Sequence, residues 1–165
     1  TAEVRAWLDE IQEISAERKI ASLELFPNRQ PENDGQRLYL EARRFEKEGD
    51  RLGALERYEA MQVLLENKPD LKPYLSLARK RIDAIRASIH SEGDQVQFVR
   101  REIAAGDDLY LTGKSLQARE RWRAILKFYE GKPEFSVLME LARRRVESTD
   151  AATAIREFPL PPEAR

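Results

Sequence analysis

Apolar residues recur at intervals of three and four along most of this chain, and no stretch shows the strict alternation of a half-buried strand. Val4, Leu8, Ile11, Ile14 and Leu23 form a rough stripe, which predicts an N-terminal helix ending near the Phe26-Pro27 pair. Leu38, Ala42 and Phe45 then share one face of a second helix, which Gly49 stops and Asp50 follows as a cap. Leu52, Leu55, Tyr58, Met61 and Leu65 carry the period into a third helix. Lys68-Pro69-Asp70 breaks that helix and starts another through Leu71, Leu75, Ala78, Ile82, Ile85 and Ile89, with Pro69 placed where a first turn tolerates it. A break at Ser91-Glu92-Gly93-Asp94 precedes Val96, Val99, Ile103, Gly106 and Leu109, and helices over Leu116–Glu130 and Glu134–Glu157 complete the set. The expected fold is all-α with about seven helices.

Displaced by 64 positions, the chain matches itself. Gly49, Ala54, Glu56, Arg57 and Ala60 meet Gly113, Ala118, Glu120, Arg121 and Ala124, while Tyr58 meets Trp122 and Met61 meets Ile125. The register continues without a gap through Lys68-Pro69 and Lys132-Pro133 to Ala78, Arg79 and Arg81 opposite Ala142, Arg143 and Arg145. Helices that shared only composition would not also align the glycine and the Lys-Pro break, so the pattern reads as a duplication. It predicts a single helical-repeat domain over 1–165, divided into an orphan helix 1–26, unit one 35–90, unit two 93–157 and a Pro-rich tail 158–165. Phe26-Pro27 with Pro31-Glu32 resembles Phe158-Pro159 with Pro162-Glu163, as if both ends left through similar connectors. Thr1 opens the chain without an initiator Met or an apolar leader, and a piece cut from a longer array is the expectation.

Composition narrows the function class. There is no Cys and one His, which removes thiolate chemistry, Cys-ligated zinc and paired-His metal sites. Lys and Arg number 29 against 30 Asp and Glu, a net charge of -1 that supplies no global field for nucleic acid or anionic lipid. No apolar run approaches the roughly 20 residues of a membrane span. Glycine-rich phosphate loops, GxSxG and HExxH are absent. His90 beside Glu92 and Asp94 reads as a solvated helix-end histidine, and Glu102, Asp107 and Asp108 as charges of an acid-rich helix. No enzyme, cofactor or metal is expected, and a cytoplasmic location is favoured.

The hairpin resembles the tetratricopeptide repeat over about residues 35–67 and 99–131. The resemblance rests on a small residue with an aromatic or leucine three on, glycine at the turn, then Ala and an aromatic four apart: Ala42, Phe45, Gly49, Ala54 and Tyr58, and again Gly106, Leu109, Gly113, Ala118 and Trp122. Met61 and Ile125 stand where that family usually has Ala, its usual Trp and Pro are missing, and the third helix lengthens the period. Arg/Glu-rich segments such as Ala54-Leu55-Glu56-Arg57-Tyr58 are also similar to non-catalytic helical regions beside bacterial serine/threonine kinase domains. The first resemblance implies antiparallel hairpins in a right-handed α-solenoid whose first helices line a groove.

In that register Tyr39, Arg43 and Glu46 face the groove from unit one, with Gln36 and Lys47, and Ile103, Asp107, Tyr110 and Leu111 face it from unit two, with Arg100. A mixture of aromatic, aliphatic and Arg side chains suits a peptide, although Tyr110 and Leu111 could equally pack on the preceding third helix. The expected function is a non-catalytic protein interaction or scaffold module, the regulatory part of a larger protein such as a signalling kinase. Two alternatives stand beside it. A nucleic-acid-binding repeat would use Arg79/Arg81 and Arg143/Arg145 as a basic row, and an architectural spacer would have no ligand at all. Interleaved glutamates make salt-bridged faces the better account of the Arg clusters, and Pro159, Pro161 and Pro162 read as a stiff linker before a PxxP ligand.

Overall fold

The computed structural model describes residues 1–164. Eight α-helices account for most of them: α1 (Ala2–Leu25), α2 (Asp34–Lys47), α3 (Arg51–Leu64), α4 (Lys72–His90), α5 (Gln95–Leu111), α6 (Ser115–Tyr129), α7 (Ser136–Glu147) and α8 (Ala151–Glu157), with 3₁₀ turns at Pro69–Leu71 and Pro133–Phe135. The fold is all-α, and no strand occurs among the described residues. The chain divides into two compact units, Thr1–Ala87 and a second from Ser88 onward, so that the last residues of α4 belong with the second.

Each unit is built on a helical hairpin, α2 with α3 and α5 with α6. The turns are closed by the same device. Gly49 and Gly113 take left-handed φ values of 78° and 87°, which a side chain would resist. The amides that follow, of Asp50 and Lys114, donate to the carbonyls of Phe45 and Leu109 at 2.9 and 2.8 Å. Asp50 then caps α3 by accepting the Gly53 amide at 2.9 Å, whereas Lys114, its counterpart before α6, offers no side-chain cap.

The 64-residue displacement maps the hairpin and the 3₁₀ turn of one unit onto those of the other, and α4 onto α7 and the start of α8. Arg51 and Ser115 open α3 and α6, and Pro69 and Pro133 open the 3₁₀ turns. Equivalent core positions are closed to solvent in both: Ala54 and Ala118, Tyr58 and Trp122, Met61 and Ile125, Ala78 and Ala142. Each large apolar side chain so buried contributes roughly 1.5–3 kcal/mol.

Two expectations need correction. The single helix expected over Glu134–Glu157 is two helices, which raises the α-helix count from seven to eight. Asp150 is the reason: its carboxylate accepts the Ala152 amide at 3.1 Å and the Thr153 hydroxyl at 2.7 Å, which starts α8 afresh after α7 has ended at Glu147. The tail expected as a stiff linker is held by side chains of the second unit as far as Glu163, and its last residue, Arg165, lies outside the described residues. Arg145 donates to the Phe158 carbonyl at 3.2 Å, and Arg100 pairs with Glu163 at 3.3 Å and also donates to the Pro161 carbonyl.

The expected orphan helix is part of the first unit. Glu13 of α1 accepts from Ser76 of α4 at 2.7 Å and pairs with Lys80, and Asp9 lies 3.5 Å from Lys72. Ala16 and Ile20 are the buried residues of this helix.

Candidate functional site

In the first unit, α1, α2 and α4 enclose a cavity of about 560 Å³. Ile20, Ala21 and Leu25 of α1 line one side, and Tyr39, Arg43 and Lys47 face them from α2 at spacings of four, which places all three on one side of that helix. Arg81 of α4 reaches in beside them, and Glu17 and Glu24 complete the lining.

The charges form a chain of shared partners. Arg43 lies 3.3 Å from Glu24 and 3.8 Å from Glu46, and Lys47 bonds the other Glu24 oxygen. Arg81 grips Glu46 with two nitrogens, at 3.0 and 2.5 Å, the fork-to-carboxylate geometry that gives direction as well as attraction. The Tyr58 hydroxyl, from the core of the hairpin, donates to Glu46 at 2.7 Å. Burial alone would raise the Glu46 pKa, but the Arg81 and Tyr58 hydrogen bonds outweigh it and hold the carboxyl below its ordinary range. Tyr39 packs its ring 5.4 Å from that of Tyr58, and burial keeps its phenol protonated to higher pH than usual.

The face of α5 in the second unit is differently used. Asp107 takes both forks of Arg145, at 2.7 and 3.0 Å, and this arginine is 0% exposed. The Tyr110 hydroxyl accepts the Ala151 amide at 3.3 Å, its ring packing 5.9 Å from Trp122, and the guanidinium of Arg144 stacks 4.1 Å over Phe158. Helix α8 and the tail thus occupy the surroundings of α5 that a ligand would need.

The seven residues expected at a groove therefore separate. Tyr39 and Arg43 line the cavity of the first unit, and Glu46 sits behind them as the anchor of Arg81. Tyr39 is itself a buried part of that wall rather than an open contact. Ile103 is 0% exposed and belongs to the core, because it shares a helix face with Val99 and Gly106. Asp107, one turn further on, is buried in its pair with Arg145 and is unavailable to a ligand. Tyr110 is half-buried under the start of α8, whereas Leu111 is 61% exposed. Gln36, placed at the groove by the same register, is buried and donates to the Tyr74 hydroxyl at 2.8 Å. Sequence reading missed the whole α1 contribution, although Ala16 and Ile20, four apart on the side away from the apolar stripe, carry the inward face.

The comparisons with known proteins come out empty. No family model, curated protein or solved structure matches this chain. Three of the four cations expected to form a basic row are committed to carboxylates, Arg81 to Glu46, Arg145 to Asp107, and Arg143 to Glu130 and Glu140, while the fourth, Arg79, is exposed. Among the described residues no group of three or more His, Cys, Asp or Glu is arranged to hold a metal ion, and no helix is long and apolar enough to cross a membrane.

Proposed function

We propose that this chain is a non-catalytic protein interaction module that receives an extended peptide segment in the cavity between α1, α2 and α4. The observation that carries the reading is the lining itself, in which Ile20 and Leu25 of α1 and the Tyr39 ring of α2 share one cavity with Arg43, Lys47 and Arg81. Apolar walls give such a segment its contact area, and a few placed polar groups give it direction. A carboxylate on the incoming peptide would exchange with Glu24 for Arg43 and Lys47, so the favoured ligand joins an aliphatic or aromatic side chain to an Asp or Glu. The resemblance of the hairpins to tetratricopeptide repeats supports the same class of function, and the resemblance to helical regions beside bacterial kinases supports a regulatory setting. The inventory of no Cys and one His supports a role without catalysis.

The test is selection of displayed random peptides on the whole chain, with Arg43→Ala/Lys47→Ala as the counter-target. Both side chains are at least partly exposed, so the variant is expected to fold. The expected outcome is a family of peptides with an acidic residue next to an apolar one, bound by the parent and lost by the variant. Peptides that bind both proteins equally would overturn the assignment.

A further inference from the structure

Helix α1 is amphipathic in the reverse of the usual sense. Its inward face carries Asp9, Glu13, Ala16 and Ile20, whereas its outward face carries Val4, Trp7, Ile11 and Ile14, each between 43% and 61% exposed, and Leu8 widens that stripe. Isolated exposed apolar residues need no explanation, but five contiguous ones over about 15 Å of helix mark a contact surface. The spacing of the four is three, four, three, the a/d rhythm of a coiled-coil seam, and Arg18 takes the next a position.

The flanks indicate what covers the seam. Glu3, Glu10 and Glu17 recur every seven residues along one side, and all three are exposed. Along the other side run Leu8 and Ser15, with Arg5, Gln12 and Lys19 just behind them, again at intervals of seven. When two copies of such a helix pair in parallel, the acidic flank of one meets the neutral-to-basic flank of the other, along both edges of the seam. In an antiparallel pair acid faces acid, at the cost of like-charge contact. We propose that the outward face of α1 is a self-association surface on which a second copy of this chain docks with its α1 parallel. Arg18 of each copy lies next to Glu17 of the other, a polar a position that fixes register at some loss of affinity.

The chain has no Cys, so a single introduced thiol reports its neighbour cleanly. Sedimentation of the unmodified chain over a range of concentrations is expected to show a reversible monomer–dimer equilibrium. Ile11→Cys and Ile14→Cys are each expected to form a disulfide-linked dimer, since parallel helices bring every seam residue beside its own copy. Glu3→Lys/Glu10→Lys, with helix content checked by circular dichroism, is expected to weaken the dimer by about tenfold. Mixing that variant with Arg5→Glu/Lys19→Glu is expected to restore association. A chain that stays monomeric, cross-linking at only one of the two positions, or a monomer that instead binds a Lys-flanked amphipathic helical peptide would each overturn the proposal.

Discussion

The two units share one plan and differ in where they put their acids. Arg57 and Arg121 are equivalent, as are Arg81 and Arg145, yet the carboxylates that the first helix of each hairpin offers them are not. In the first unit Arg57 reaches Glu41 and Arg81 reaches Glu46, whereas in the second Arg121 reaches Glu102 and Arg145 reaches Asp107. Subtracting the 64-residue displacement puts Glu102 and Asp107 at the positions of Leu38 and Arg43, each three residues before its unit-one counterpart. Both acids have moved by about one helical turn in the same direction while the arginines stayed. The second hairpin thereby draws its ion pairs inward: Arg145 has a side-chain exposure of 0% where Arg81 has 37%. The first is left with Arg43 free to face α1 in place of a buried acid. One plan thus carries a part-exposed arginine pair in the first unit and a buried one in the second, which teaches that relocating a charge by a turn is enough to move an ion pair from the surface into the core.

The largest consequence concerns the two equivalent arginines. Removing one partner of a buried ion pair strands the other, so Arg145→Ala is expected to destabilise the second unit by about 3–5 kcal/mol. Arg81→Ala, more than a third exposed, is expected to cost the first unit about 1 kcal/mol or less. Hydrogen exchange resolved by unit reads both changes. Replacing the pair together, as Arg145→Met/Asp107→Leu, should cost far less than Arg145→Ala. Equal losses at Arg81 and Arg145 would erase the contrast.

A second contrast lies where the first helix meets the aromatic of its hairpin. Trp122 stands over Gly106 in the second unit, and the equivalent positions of the first hold the smaller Tyr58 and the larger Ala42. A Cβ on Gly106 would come within 2.3 Å of the indole nitrogen, which donates to the Ile103 carbonyl at 3.3 Å. Gly106→Ala is therefore expected to destabilise by roughly 1–3 kcal/mol in a denaturant melt. Adding Trp122→Tyr recreates the unit-one combination and should recover much of that loss, and a double variant no better than the single one would show that the two positions are not matched.

The smallest effect is a difference in titration. Burial raises the Asp107 pKa despite its guanidinium, whereas Arg81 and Tyr58 outweigh burial and lower that of Glu46. Glu46 therefore stabilises the first unit above the unfolded carboxylate pKa, and that contribution disappears as pH falls through its lowered folded value. Asp107 behaves oppositely: its ionised form is penalised by folding, so the penalty is relieved as pH falls through its raised value. Carboxyl NMR titration is expected to find Asp107 protonating above the usual aspartate range and Glu46 below the usual glutamate range.

Much of this architecture is legible in the chain, because a glycine at each hairpin turn and a Lys-Pro break after each second helix are local signals with local causes. The start of α8 was missed because Asp150 acts through a side-chain cap within an otherwise helical pattern. At the candidate site, Tyr39 and Arg43 follow from the helix face, but Ile103 and Asp107 lie on that same face and are buried. Nothing in the spacing says which unit is covered, since that depends on where α8, the tail and α1 pack. The inward role of Ala16 and Ile20 was hidden for a related reason: the apolar stripe of α1 points outward, against the usual reading of an amphipathic helix.

The proposed peptide site stands or falls on where a ligand lands. Hydrogen-exchange mass spectrometry of the whole chain, with and without a peptide selected as above, locates it directly. Protection over the second half of α1, over α2 and around Arg81, with α5 unchanged, is the expected result. Protection centred on α5 and Leu111, or none in the first unit, would contradict it.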